Sequence, residues 1–174
     1  MIVILTLIIA GILAAAGSGH AQASPSPVDL VRIGCVSSEM NLDGFRRVAD
    51  EHHWEPLLEV VSSQADIDRI VSNPDWGMGY DTGSGWVTMS GPKALGRVAA
   101  SCTVKVVEPT GEWDAGVDGL ASELGLSPAV LEMRQGVEGG LWSASDGRKL
   151  NVSYTLSSRT LEMTLSRPLV PQSQ

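Results

Sequence analysis

Asp50, Glu51, His52, His53 and Glu55 crowd carboxylates and imidazoles into one short stretch. Those are the oxygen and nitrogen donors that hold zinc. Their spacing argues against a shared ion. Neighbouring residues on an α-helix point about 100° apart, so His52 and His53 diverge. Neither an HExxH pair nor a Cys/His zinc spacing is present. His52 also extends the helical stripe of Leu42, Phe45, Val48 and Ala49, which makes it a packed or capping histidine. No metal or other cofactor is expected.

The second candidate is Asp81-Thr82-Gly83-Ser84. It resembles the catalytic tetrapeptide of aspartic proteases, and the resemblance covers four residues. It implies that Asp81 ends an apolar strand and that a second subunit supplies the opposing carboxylate. It also implies an apolar-apolar-Gly element well downstream. Gly77-Met78-Gly79-Tyr80 is a poor strand, and Leu95-Gly96 comes too early for that element. The simpler reading is a Gly-rich surface turn in which Asp and Gly serve backbone geometry. No G-x-S-x-G, P-loop or G-x-G-x-x-G accompanies it. Asn151-Val152-Ser153 matches a glycosylation sequon, which has meaning only in a eukaryotic secretory pathway.

Tryptophan is over-represented, with five Trp against one Phe and two Tyr. Trp86 and Trp113 are expected to fill the core. Trp76, with Tyr80 in the same Gly-rich 75–85 stretch, is the candidate for an exposed contact surface, because loops carry binding residues and Trp is enriched at contacts.

Elements that would position these residues begin with an export signal. Residues 1–23 hold an uncharged apolar run that closes on Ala21-Gln22-Ala23. A short apolar core followed by a small-x-small site is the form of a signal peptide. The run falls short of the ~20 apolar residues of a membrane span. Cleavage is expected between Ala23 and Ser24. No Lys or Arg precedes the core, and an uncleaved anchor is the alternative. Ser24-Pro25-Ser26-Pro27 follows as a polar, helix-breaking stretch, so 24–34 reads as a linker, 35–167 as one domain and 168–174 as a flexible tail. Roughly 150 residues then remain, enough for a single domain with a real core.

Cys35 and Cys102 both survive cleavage. An even count in an exported chain points to a disulfide. Chain-entropy arithmetic for a loop of this length gives roughly 4 kcal/mol. The chain carries 12 Lys+Arg against 20 Asp+Glu, a formal charge of −8, and residues 1–23 contain none of them. So acidic a domain is a poor ligand for nucleic acid or anionic membrane surfaces.

Periodicity predicts a helix over 42–53 and a short strand over 57–62. A further helix opens at Ser63-Gln64-Ala65-Asp66 and stops at Asn73-Pro74. Strands are predicted over 86–90 and 97–107, and an amphipathic helix over 113–124. Ser127-Pro128 could open another short helix. A β-meander follows, with strands over 141–145 and 149–156 around Asp146-Gly147 and a third through Leu161, Met163 and Leu165. No internal repeat has a firm period. The expected fold is a single α+β domain whose antiparallel sheet is covered on one face by two or three helices.

The expected role is that of a small exported, periplasmic or secreted, non-enzymatic domain that binds a protein, an envelope component or a small ligand. The binding region would be the 75–85 stretch and the solvated strand face. The competing expectation is a secreted hydrolase with its site around Asp81. Neither nucleic acid nor, after cleavage, a membrane is an expected partner.

Overall fold

A computed structural model describes residues 24–57, 64–71, 75–92, 94, 96–110, 113–134 and 136–168. The leader with Ala23, the 57–62 strand beyond Leu57, Asn73-Pro74 and the tail beyond Pro168 lie outside the described residues.

The structure is α+β, with an eight-stranded antiparallel sheet. In chain order the elements are α1 (Pro27–Leu30), a π-helical continuation (Val31–Val36), α2 (Leu42–Glu51), β1 (Glu55–Pro56) and α3 (Gln64–Val71). Next come β2 (Asp75–Asp81), β3 (Trp86–Pro92), β4 (Ser101–Val107), α4 (Trp113–Glu123), β5 (Ser127–Arg134), β6 (Val137–Ser143), β7 (Lys149–Thr155) and β8 (Thr160–Ser166). The strand order is β1-β2-β3-β4-β8-β7-β6-β5. It reads alike from both edges. In each half the strands run in chain order from edge to centre, with α3 inserted between β1 and β2 in the first, and the two last strands pair at the centre through Val104 and Met163.

The segment 24–34, expected as a linker, is helical from Pro27 and enters the core. Pro27, Val28, Leu30 and Val31 are buried. The reason is a capping box: Ser26 Oγ accepts from Asp29 N at 3.1 Å, while Ser26 N donates to Asp29 Oδ2 at 3.3 Å. Pro27 sits at the first helical position, where its missing N–H is harmless and its fixed φ suits the helix. Gly34 lets this segment lie close on the sheet, since a Cβ there would stand 2.7 Å from Val87 Cγ1. Cys35 follows, bonded to Cys102 in β4 with the Cα atoms 5.6 Å apart.

The helix predicted at Ser127-Pro128 is instead edge strand β5, joined to β6 with a bulge between Pro128 and Val130. Ser-Pro can cap a helix, but β-sheet pairing to β6 overrides that local preference. The strand predicted from Arg97 begins only at Ser101, because Arg97 lies in a turn and Val98 forms an isolated bridge with Asn41. Arg167 holds this junction by donating to the carbonyls of Ala99 and Met40.

Strand alternation separates two sets of side chains. Trp76, Met78, Tyr80, Val87, Met89, Cys102, Val104, Leu150, Val152, Leu161, Met163 and Leu165 are buried in one cluster with Leu30, Leu42, Phe45 and Leu120 from the helices. The opposite set is hydroxyl-rich. Thr88, Thr103, Thr164 and Asn151 follow one another across four strands, with Ser90, Ser101 and Ser166 in the adjacent row. Ser90 and Ser101 hydroxyls meet at 2.8 Å, and Thr103 and Thr164 at 2.9 Å. Among the described residues no helix is long and apolar enough to cross a membrane.

Candidate functional site

β2 and β3 are joined by the turn that contains Asp81. Asp81 Oδ1 accepts from Gly83 N at 2.8 Å. Thr82 N and Thr82 Oγ1 both donate to Gly85 O, at 2.9 and 2.8 Å. Gly83 takes φ +76°, the left-handed region where a side chain is strained. A Cβ on Gly85 would come within 2.6 Å of Lys105 O, so glycine allows the turn to lie against β4. The Asp-Thr-Gly-Ser-Gly run is thus spent on backbone geometry.

Beside this turn is a shallow hollow of about 230 Å³ lined by Asp81, Gly83, Ser84, Gly85, Trp86 and Val107. Among the described residues Asp81 is the one ionisable group in that lining, and no second carboxylate of the kind a protease pair requires joins it there. What the lining does offer is apolar surface. Trp86 is 36% exposed and Val107 50% exposed. Lys105 Nζ stands 6.0 Å from the Trp86 ring centroid, and Lys105 pairs across the strands with Trp86 on one side and Glu162 on the other.

The expected contact surface of Trp76 and Tyr80 is corrected by the structure. Both are buried, at 2% and 5% exposure. Trp76 Nε1 donates to Gly96 O at 2.9 Å, and the Tyr80 ring stands edge-on to Phe45 at 5.1 Å. Burial, reinforced by the nearby Asp50 carboxylate, raises the Tyr80 hydroxyl pKa above its ordinary value. The 75–85 stretch, expected as a loop, is mostly strand. Trp76, Met78 and Tyr80 recur at a period of two and point inward, and Gly77 and Gly79 between them disguise the alternation.

Trp86, expected in the core, is the exposed ring instead. Val87 and Met89 take the inward positions of β3, which leaves Trp86, Thr88 and Ser90 on the opposite side. Alternation within β3 was the signal that could have placed it. Trp113 is partly buried and packs against the core, its ring 5.7 Å from that of Tyr154.

α2 ends at Glu51, so His52 and His53 lie in the following turn, both exposed. His52 caps the helix, as one of its two expected roles had it, and its ring lies 5.7 Å from that of Trp54 rather than in the apolar stripe. Among the described residues no group of three or more His, Cys, Asp or Glu is placed to hold a metal. Cys35 and Cys102 are fully buried and joined, and serve the core rather than redox chemistry at the surface.

No family model matches the chain, and neither a curated protein nor a solved structure is significantly similar to it.

Proposed function

We propose that this chain is an exported binding domain that recognises a protein partner through the hydroxyl-lined sheet face and the Asp81–Trp86 turn. In this reading residues 1–23 direct export and are removed at Ala23–Ser24. The mature chain folds as a single domain in the periplasm or outside the cell. Its helices cover one face of the sheet and leave the other for the partner. The observation that carries the reading is that Trp86 and Val107, both exposed, line one hollow beside a turn held by its own hydrogen bonds. An exposed tryptophan set on rigid backbone is the usual anchor of a protein contact, because it buries much area for little lost freedom. The hydroxyls around it supply donors and acceptors without the desolvation cost of charges.

Three further features support it. The Cys35–Cys102 disulfide suits an oxidising compartment. A formal charge of −8 disfavours nucleic-acid phosphates. The carboxylate that lines the Asp81 hollow already holds the turn. The test is affinity capture from an envelope extract with the mature domain and with its Trp86→Ser and Thr103→Lys variants. A partner held in stoichiometric amount by the parent and lost by both variants is the expected result. Capture that both variants retain would reject this face.

A further inference from the structure

A second hollow, of about 320 Å³, lies between α4 and the C-terminal meander. Its walls include Trp113, Val117, Trp142 and Val152, with Asp114 and Asp118 at the same lining and, among the described residues, no cationic side chain. α4 presents Trp113, Asp114, Val117 and Asp118 together because those positions recur one turn apart. Trp142 arrives from β6 and Val152 from the adjacent β7, opposite Gly140. Trp142 Nε1 donates to Asp118 Oδ1 at 3.2 Å, which ties that carboxylate to one of the indole rings of the lining. The Trp113 ring is steadied by Tyr154 at 5.7 Å. Glu138 occupies the same side of β6 as Gly140 and Trp142, adding a further negative charge to that face.

We infer that this hollow binds the methylated ammonium group of a small free organic cation, of about the size of choline. Two indole rings line the hollow, and a cation within about 6 Å of an indole face is attracted by the ring quadrupole. The apolar walls accept methyl groups that an aqueous carboxylate site would not favour. Asp118, in the lining, supplies opposite charge, by which an anion would be repelled and from which a neutral apolar molecule would gain nothing. The volume lies near the lower end of small-ligand pockets, roughly 300–1,000 Å³.

Calorimetric titration of the mature protein with choline, and with its neutral isostere 3,3-dimethylbutan-1-ol, tests the assignment. Choline is expected to bind saturably below about 10 mM, with the isostere weaker by about tenfold. Phosphatidylcholine vesicles form a third arm, and binding to vesicles without binding to free choline overturns the free-ligand assignment. Trp113→Leu keeps apolar volume but removes the ring face. Asp118→Asn keeps an acceptor for Trp142 but removes the charge. Each is expected to weaken choline by about fivefold or more. Should Trp113→Leu melt early, Asp118→Asn decides alone. Equal affinity for the isostere, no saturation by choline, or unchanged affinity in Asp118→Asn overturns the proposal.

Discussion

Cys35 and Cys102 join the N-terminal helical segment to the middle of the sheet, across 67 residues of chain, and both are wholly shielded from solvent. Cys102 faces Met89 and Leu165 on its neighbouring strands, so the bond is set among the core side chains that unite the two halves of the sheet. Double replacement by Ser is expected to lower unfolding free energy by about 4 kcal/mol, chiefly by freeing the unfolded chain. Urea denaturation of parent and variant measures this. Because neither sulfur is exposed, dithiothreitol added to the native protein should leave the bond intact until the chain unfolds, and free-thiol titration over time reads that lag.

Trp76 and Trp86 are expected to behave oppositely, one in the core and the other at the surface. Trp76→Ala removes a buried ring and the hydrogen bond to Gly96 O, and should cost about 3–5 kcal/mol. Trp86→Ser removes an exposed ring and should change stability by no more than about 0.5 kcal/mol. Paired denaturation curves decide. Equal losses would contradict this division of the hairpin into inward and outward sets, and a larger loss at Trp86 would reverse it.

This pair also shows what the residues alone could tell. The α2 stripe, the Asp146-Gly147 hairpin and the alternation of β4, β7 and β8 are legible because one physical period dominates each. β2 was hidden because Gly77 and Gly79 fill its outward positions and imitate a loop. Helix α1 was hidden because Ser26-Pro27 reads as a breaker until Asp29, three residues beyond the cap, is recognised as closing a capping box. The symmetric strand order leaves no trace in residue spacing, since a meander constrains which positions are apolar and not which residues occupy them. The hollow under α4 joins residues from 113 to 152 that only the fold brings together.

Stability should fall at both ends of the pH scale, for separate reasons. The Ser26 hydroxyl, with Arg32 beside it, holds the Asp29 carboxyl below its ordinary value, and Arg32 does the same for Glu123. A lowered folded pKa means stability that is present above the unfolded value near 3.8–4.5 and is lost as pH falls through the folded one. Both groups are largely exposed, so the acid loss is small. Arg32→Gln should flatten it. Tyr80 runs the other way. Its folded pKa is raised above the unfolded 10.0, so its contribution is complete below that pH and is lost as pH rises towards the folded value. Tyr80→Phe should remove that alkaline slope. Denaturation midpoints from pH 2 to pH 11, read in parent and variants, supply the check, with the range set by the ordinary carboxyl and phenol values of about 4 and 10.

Export makes a plain mass prediction. The product recovered outside the cytoplasm should begin at Ser24, with Cys35 and Cys102 joined. Intact mass before and after reduction should differ by about two hydrogens, one disulfide's worth. A mass that retains residues 1–23 would replace the cleaved leader with an anchor.

The most direct test of the proposed role places a photo-activatable phenylalanine at position 86 of the full chain, and at Val36, an exposed residue of the helical segment, as control. Illumination of intact cells should yield one discrete adduct from position 86, recovered from the exported fraction and missing from position 36. Identical adducts at the two positions, or none at position 86, would contradict a partner seated on the sheet face beside Trp86.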